Sequence, residues 1–128
     1  MTTIIAVCIA VCVGLSCGNA GASVSSAANV APKRPMMFLK CVACHSTEPG
    51  RHGTGPSLAA LNGREAGSVP DFAYSEALKN SGITWNAASL DEFLTSPQDI
   101  VPGMCLPFRG FADPAKRKEV ADYILSLE

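Results

Sequence analysis

The segment Cys41-Val42-Ala43-Cys44-His45 places two thiols three residues apart and an imidazole directly after them. This is the spacing of covalent haem attachment. On one helical turn the two sulfurs can reach the two vinyl groups of one porphyrin edge as thioethers, and His45 then offers a nitrogen to iron. Two other chemistries use the same residue types. A dithiol redox pair would need a preceding strand and βαβ surroundings, whereas Met36-Met37-Phe38-Leu39-Lys40 reads as a short helix. A structural zinc site needs four ligands. Outside the leader only His52 and Cys105 remain to supply them, with no second cysteine pair. The spacing favours haem over both.

The elements that must position this motif are few. At 128 residues the chain holds one small domain and a leader. Small chains bury little surface; aromatic residues make up only 6%, which fits a core completed by an apolar cofactor. The formal net charge of −1 gives no sign of a nucleic-acid partner. A short helix leads into the motif, with Pro35 suited to its first position. A Gly/Pro-rich loop follows from Glu48 to Pro56, of the length that is either functional or disordered; packed against the proximal side of a haem it would be ordered. Tyr74 to Asn80 reads as a helix closed by Gly82. Asn86 to Thr95 reads as another, with Leu90, Phe93 and Leu94 on one face and Pro97 ending it. The last helix begins at Asp113-Pro114, an N-cap followed by proline at the first helical position, and carries Val120, Tyr123, Ile124 and Leu127 as its apolar stripe. No strand pattern stands out. The expected fold class is all-α: short helices and loops wrapped around one cofactor.

The N-terminal region reads as export machinery. Thr2 to Leu15 is uncharged and apolar, and Ala20-Gly21-Ala22 is a small-x-small cleavage site. The expected division is a signal peptide over 1–22, a Ser/Ala-rich linker over 23–35 and a globular domain over 36–128. No Lys or Arg precedes the apolar run, which departs from the usual signal pattern. Two alternatives stay open: a lipid anchor on Cys17, with Gly14 standing where such sites usually carry Leu, and retention of the uncleaved run, although it is short for a membrane span. With Cys8, Cys12 and Cys17 in the leader and Cys41 and Cys44 on haem, Cys105 is left as a free thiol, and no disulfide is expected.

From Met36 onward the chain resembles the class I cytochromes c, in a bacterial secreted form of the branch that includes mitochondrial cytochrome c. The resemblance rests on the haem motif, on Gly55-Pro56-Ser57-Leu58, on Gly63-Arg64 with Gly67, on Phe72-Ala73-Tyr74-Ser75, on Gly82-Ile83-Thr84-Trp85, and on Val101-Pro102-Gly103 with Phe108. It implies one covalent haem c. It implies that His45 is the proximal ligand, that the Pro56 carbonyl accepts from its other ring nitrogen, and that Arg64, Tyr74 and Trp85 hold a propionate. Taken without the resemblance, Trp85 and Tyr74 read as core aromatics and Arg64 as a solvated charge. His52 reads as a surface or loop histidine.

The chain departs from the family where the sixth ligand belongs. The family loop reads P-G-x-x-M-x-F; here it reads Pro102-Gly103-Met104-Cys105-Leu106-Pro107-Phe108. An alkyl side chain cannot bind iron, so Leu106 cannot take the role. Phe93 and Leu78 stand where Tyr and Asn are common, which makes the surroundings drier. In extended backbone, residues two apart share a face about 6–7 Å apart, so a modest slide of the loop would bring the Met104 sulfur to iron; an open or water-filled site, or Cys105, are the alternatives.

Two functions follow. The resemblance implies a periplasmic electron carrier, a monomer without stable membrane insertion. It would exchange electrons with redox partner proteins, an oxidase, reductase or dehydrogenase, and do no enzymatic chemistry of its own. The alternative is a five-coordinate haem protein that binds small gases or has weak peroxidase activity, because Leu106 occupies the usual ligand position. Lysines about the haem edge serve docking in mitochondrial relatives; Lys40, Lys79 and Arg109 are what remains here, so steering toward an acidic partner is expected to be weak.

Overall fold

The computed structural model describes residues 32–128 apart from Cys105. The expected signal peptide, most of the linker and the alternatives at Cys17 and Cys105 lie outside the described residues. The helices are short: a 3-10 turn Met36–Phe38 runs into α1 (Leu39–Val42), followed by α2 (Glu76–Lys79), α3 (Ala87–Thr95), α4 (Pro97–Ile100) and α5 (Pro114–Leu125). Among the described residues there is no strand; one isolated antiparallel bridge joins Glu65 to Thr84.

Three helices, α2, α3 and α5, begin where a side chain caps the backbone. Asn86 accepts from the backbone N–H groups of Ala88 and Ser89, and Ser89 accepts in return from the Asn86 N–H, a reciprocal box. Asp113 accepts from Ala115 and Lys116, ahead of Pro114 at the first helical position. Ser75 caps α2 through Leu78 N–H, so that helix starts after Tyr74 instead of at it, and is only one turn long. Pro35 is extended, with ψ 151°, and flanks the first turn from outside. Pro97 ends α3 as expected but also opens α4, a helix that the sequence did not announce.

The core lies where the first helix and α3 meet α5. Phe38 is fully buried and meets Tyr123 edge-on, ring centroids 4.7 Å apart. Leu90 and Leu94 of α3 and Val120, Ala121 and Ile124 of α5 are buried, and Trp85 and Phe111 close the cluster. Arg117 ties the same two helices from their rim: its guanidinium donates to both Asp91 carboxylate oxygens, at 2.7 and 3.3 Å, and to the Phe111 carbonyl at 3.0 Å. The end of α3 is finished by chain from beyond α4. The Phe111 N–H donates to the Leu94 carbonyl at 2.8 Å, satisfying one of the acceptors a helix C-terminus leaves open.

That return depends on Gly110. Its φ is +104°, and a Cβ there would overlap the Thr95 carbonyl oxygen. Gly50 also has positive φ, +67°, but a Cβ there meets nothing within 4 Å. Gly110→Ala is therefore expected to lose about 3 kcal/mol or more through backbone strain and a displaced helix end. Gly50→Ala should lose only about 1–2 kcal/mol, the strain alone. Denaturant unfolding of the two variants checks this; equal losses would contradict the packing of Gly110 on α3.

Candidate functional site: a proximal histidine, two thiols and a distal loop

The haem-attachment motif lies on one continuous turn. The N–H groups of Cys44 and His45 both donate to the Cys41 carbonyl, at 3.0 and 2.9 Å. Cys41 and Cys44 are half-buried free thiols on this turn. Burial pushes the Cys41 thiol up to about 11, with Cys44 nearby adding to the effect. A reactive dithiol pair needs the reverse, a thiolate favoured at neutral pH, so the environment opposes the redox-pair reading. Among the described residues no group of three or more His, Cys, Asp or Glu side chains could hold a metal.

The Gly/Pro loop folds back under the motif and fixes the imidazole. Gly55 N–H donates to the Cys44 carbonyl at 2.9 Å, and Leu58 N–H to the Ser46 carbonyl at 2.9 Å. The loop lies flush: a Cβ on Gly55 would sit 2.5–2.9 Å from three ring atoms of His45, and one on Gly53 would overlap the Cys44 carbonyl oxygen. His45 Nδ1 lies 2.7 Å from the Pro56 carbonyl. A carbonyl only accepts, so Nδ1 carries the proton and Nε2 is left with its lone pair. Burial holds the imidazole below its ordinary titration range, opposed by the Pro56 bond. The ring is thus neutral near pH 7, the form that binds a metal.

His52 is more than a loop histidine. Ser57 N–H donates to its Nδ1 at 3.1 Å, which leaves the proton on Nε2, and Nε2–H donates to the Pro70 carbonyl at 3.2 Å. It therefore ties the 52–57 loop to the chain near residue 70. Ser57 is buried and donates through its hydroxyl to the Glu48 carbonyl at 2.7 Å. The pattern of glycines and prolines marked the loop; nothing in it marked these two links.

Arg64, Tyr74 and Trp85 come together. Trp85 N–H donates to the Arg64 carbonyl at 2.9 Å across the isolated bridge, and Gly63 N–H donates to the Trp85 carbonyl at 2.7 Å. The Arg64 guanidinium donates to the carbonyls of Ala59 and Ser57, at 2.7 and 3.1 Å. Burial pulls Arg64 below its ordinary value while the Tyr74 phenol opposes the shift; burial raises Tyr74, opposed by Arg64 and by a bond to the Val69 backbone. A partly buried guanidinium beside a phenol favours a carboxylate partner. Trp85 is buried and meets Phe93 edge-on at 5.1 Å, so it is a core aromatic as well.

The distal loop begins with a tight turn. Met104 N–H donates to the Val101 carbonyl at 3.3 Å, across Pro102 and Gly103 with φ +87°, the residues a type II turn demands. Met104 and Leu106 are half-buried and stand outside the core cluster. The alternation expected between them passes through Cys105, outside the described residues. The backbone bends at Pro107, and Gln98 of α4 donates to the carbonyls of Leu106 and Phe108 on either side of that bend. Sequence reasoning missed Gln98 altogether.

These residues fit a c-type haem: two uncommitted thiols and a neutral imidazole with one free nitrogen on a single turn, and the partly buried Arg64 guanidinium donating to the Ser57 carbonyl in the loop beneath. Leu78, Ile83, Phe93 and Phe108 pack on the core and remain only half-buried by protein, the burial expected of side chains that share a face with an apolar cofactor.

Known proteins agree with that assignment. The chain is 46% identical over 89 residues to cytochrome c2 of Rhodoblastus acidophilus, covering 69% of this chain and 83% of that one. It is 40% identical over 85 residues to cytochrome c of Euglena viridis, covering 66% and 83%. Among solved structures, cytochrome cH from Methylobacterium extorquens superposes with a TM-score of 0.63 at 39% identity, over 68% of this chain and 88% of that one. No family model matches the chain. The fold and these relatives place the chain in the class I cytochrome c family, whose members carry one covalently attached c-type haem.

Gly55 offers the sharpest test of the proximal geometry. Gly55→Ala should displace the His45 ring and reduce the fraction of chains that retain covalent haem, by mass and absorbance. Pro56→Ala keeps the backbone acceptor and should leave that fraction near wild type. Equal fractions in Gly55→Ala and wild type would contradict the close packing of loop on imidazole.

Proposed function

We propose that this protein is a secreted, periplasmic electron carrier, released by cleavage after Ala22 and acting as a monomer between redox partner proteins. The observation that carries the reading is the proximal arrangement: His45 neutral, its Nδ1–H held by the Pro56 carbonyl at 2.7 Å, on the turn that presents Cys41 and Cys44. The haem supplies one-electron exchange at iron. The chain's own residues keep its surroundings constant. Cys41 and Cys44 fasten the porphyrin edge as thioethers. His45 ligates through Nε2 while Pro56 fixes its tautomer and orientation. Arg64, Tyr74 and Trp85 hold a propionate. Met104, following the Gly103 turn, would offer its thioether sulfur to the iron. A site whose ligands do not rearrange between oxidation states suits transfer rather than bond chemistry.

Docking is weakly steered. Lys79 is paired with Glu76 at 2.9 Å, which leaves Lys40 and Arg109, both exposed, as the positive groups of the expected ring. Lys40 lies over the Phe111 ring, 5.6 Å from its centroid. Among the described residues no helix is long and apolar enough to cross a membrane.

Leu106 favours a second reading, in which the sixth position is open and the protein binds small gases or turns over peroxide slowly. No second histidine stands on the distal loop to move a proton, which weakens the peroxidase form.

Intact mass after acid–organic extraction should equal the chain from Ser23 plus one haem. The ferric protein should be low-spin with the weak far-red sulfur–iron band. Met104→Ala should abolish the band, admit carbon monoxide to the ferrous protein and lower the potential, because a thioether ligand raises it; Cys105→Ser should change none of these. Haem released by extraction would sink the attachment. A high-spin wild type that takes up carbon monoxide at once, with Met104→Ala silent, would put the open-site reading first, and Leu106→Met would then be expected to close the site.

A further inference from the structure

The distal loop has little backbone bonding of its own. Pro102 and Pro107 lack N–H groups. Among the described residues, no backbone hydrogen bond engages residues 106–110; the next is that of Phe111 N–H to the Leu94 carbonyl. Between the Val101–Met104 turn and that anchor, among the described residues, Phe108 packs on the core cluster and the Gln98 amide is the side-chain group that hydrogen-bonds the backbone. The Gln98 amide nitrogen carries two hydrogens. Both are used, on the Leu106 carbonyl and on the Phe108 carbonyl, the latter at 3.0 Å. Gln98 is half-buried on α4. That helix is anchored at its start by the buried Pro97 and at its end by the buried Val101, whose N–H donates to the Pro97 carbonyl at 2.9 Å. The nitrogen is thus fixed to the core, and it grips the loop on both sides of the bend at Pro107.

We propose that Gln98 is the positioning residue of the distal loop, clamping the Leu106–Phe108 backbone so that the loop stays closed over the haem face. The inference rests on the haem-carrier reading and adds to it what keeps the sixth position in one state. Leu106 lacks any atom that could bond iron and thereby hold the loop. Past the Met104 ligand of the carrier reading, the Leu106–Phe108 backbone is held from α4 by the two Gln98 hydrogen bonds. Releasing the Leu106–Phe108 backbone needs only the loss of two neutral hydrogen bonds, so the clamp is a local one, separable from global stability.

The test uses the full haem-loaded protein, with Gln98→Glu and Gln98→Met. The first keeps the shape of the side chain but replaces both donors with a carboxylate facing two carbonyl oxygens. The second keeps the length with no donor. Three quantities are read: the rate at which the ferrous protein takes up carbon monoxide, the rate of trypsin cleavage after Arg109, and the denaturant midpoint. Both rates should rise by about tenfold, the loss of two neutral bonds, with the midpoint close to wild type and cleavage elsewhere unchanged. Two results would overturn the proposal: wild-type rates in both variants, or faster cleavage at all Lys and Arg sites together with a lowered midpoint, which marks a merely structural role. Absence of covalent haem in the wild type would sink the carrier reading instead, and cleavage after Arg109 would still judge the clamp.

Discussion

The hydrogen bond from His45 Nδ1 to the Pro56 carbonyl, at 2.7 Å, is the constraint on which the rest of the site depends. It does three things at once. It decides which ring nitrogen is free, it orients the ring, and it closes the loop that runs from the haem motif to Leu58. The acceptor is a backbone atom, so its position depends on chain conformation and not on a rotamer. The chain reaches that conformation because Gly53 and Gly55 let it lie directly on Cys44 and His45. His52 then ties the same loop to the Pro70 carbonyl, and Ser57 ties it to the Glu48 carbonyl. A neutral imidazole in a partly buried site costs less than a charged one, and burial here keeps it neutral.

The two faces of the site are built differently. The proximal side is held redundantly, by backbone bonds from the Cys41 turn and by the links of His52 and Ser57. The distal side is held by one turn at Gly103, by Gln98 and by the return of Phe111 to α3. The departures from the family pattern at Leu106, Phe93 and Leu78 fall at positions that the resemblance assigns to the sixth-ligand side. This is where physics allows them: a face held by few bonds tolerates exchange of side chains, whereas a change at Gly55 collides with the ligand itself. The attachment motif is that of the family, and the proposed departures lie on the side that would tune potential and access.

Much of this was legible because it is local. The Cys41-to-His45 spacing names its own chemistry, and Asn86 and Asp113-Pro114 start α3 and α5 where caps belong. The apolar spacing of Leu90 with Leu94, and of Val120 with Ile124, marked the faces that pack together. What escaped is non-local or very short. The extent of α2 was set by the Ser75 cap and not by the residues before it. A four-residue helix such as α4 has no periodicity to read, and a proline that ends one helix can equally begin the next. His52 and Gln98 act on carbonyls 18 and 8–10 residues away, and a carbonyl carries no sequence signature. The grouping of Arg64, Tyr74 and Trp85 came from family resemblance alone; their chemistry in isolation points to surface and core.

The central claim is that the site exchanges one electron with its ligands in place. Voltammetry of the haem-loaded protein on an electrode, in the absence and presence of hydrogen peroxide, tests it most directly. The account predicts a single reversible one-electron wave, with oxidation and reduction potentials that coincide at slow and fast scan rates and a current unaffected by peroxide. A wave split between two potentials, as when a ligand leaves in one oxidation state, or a reductive current that climbs with peroxide, would contradict it.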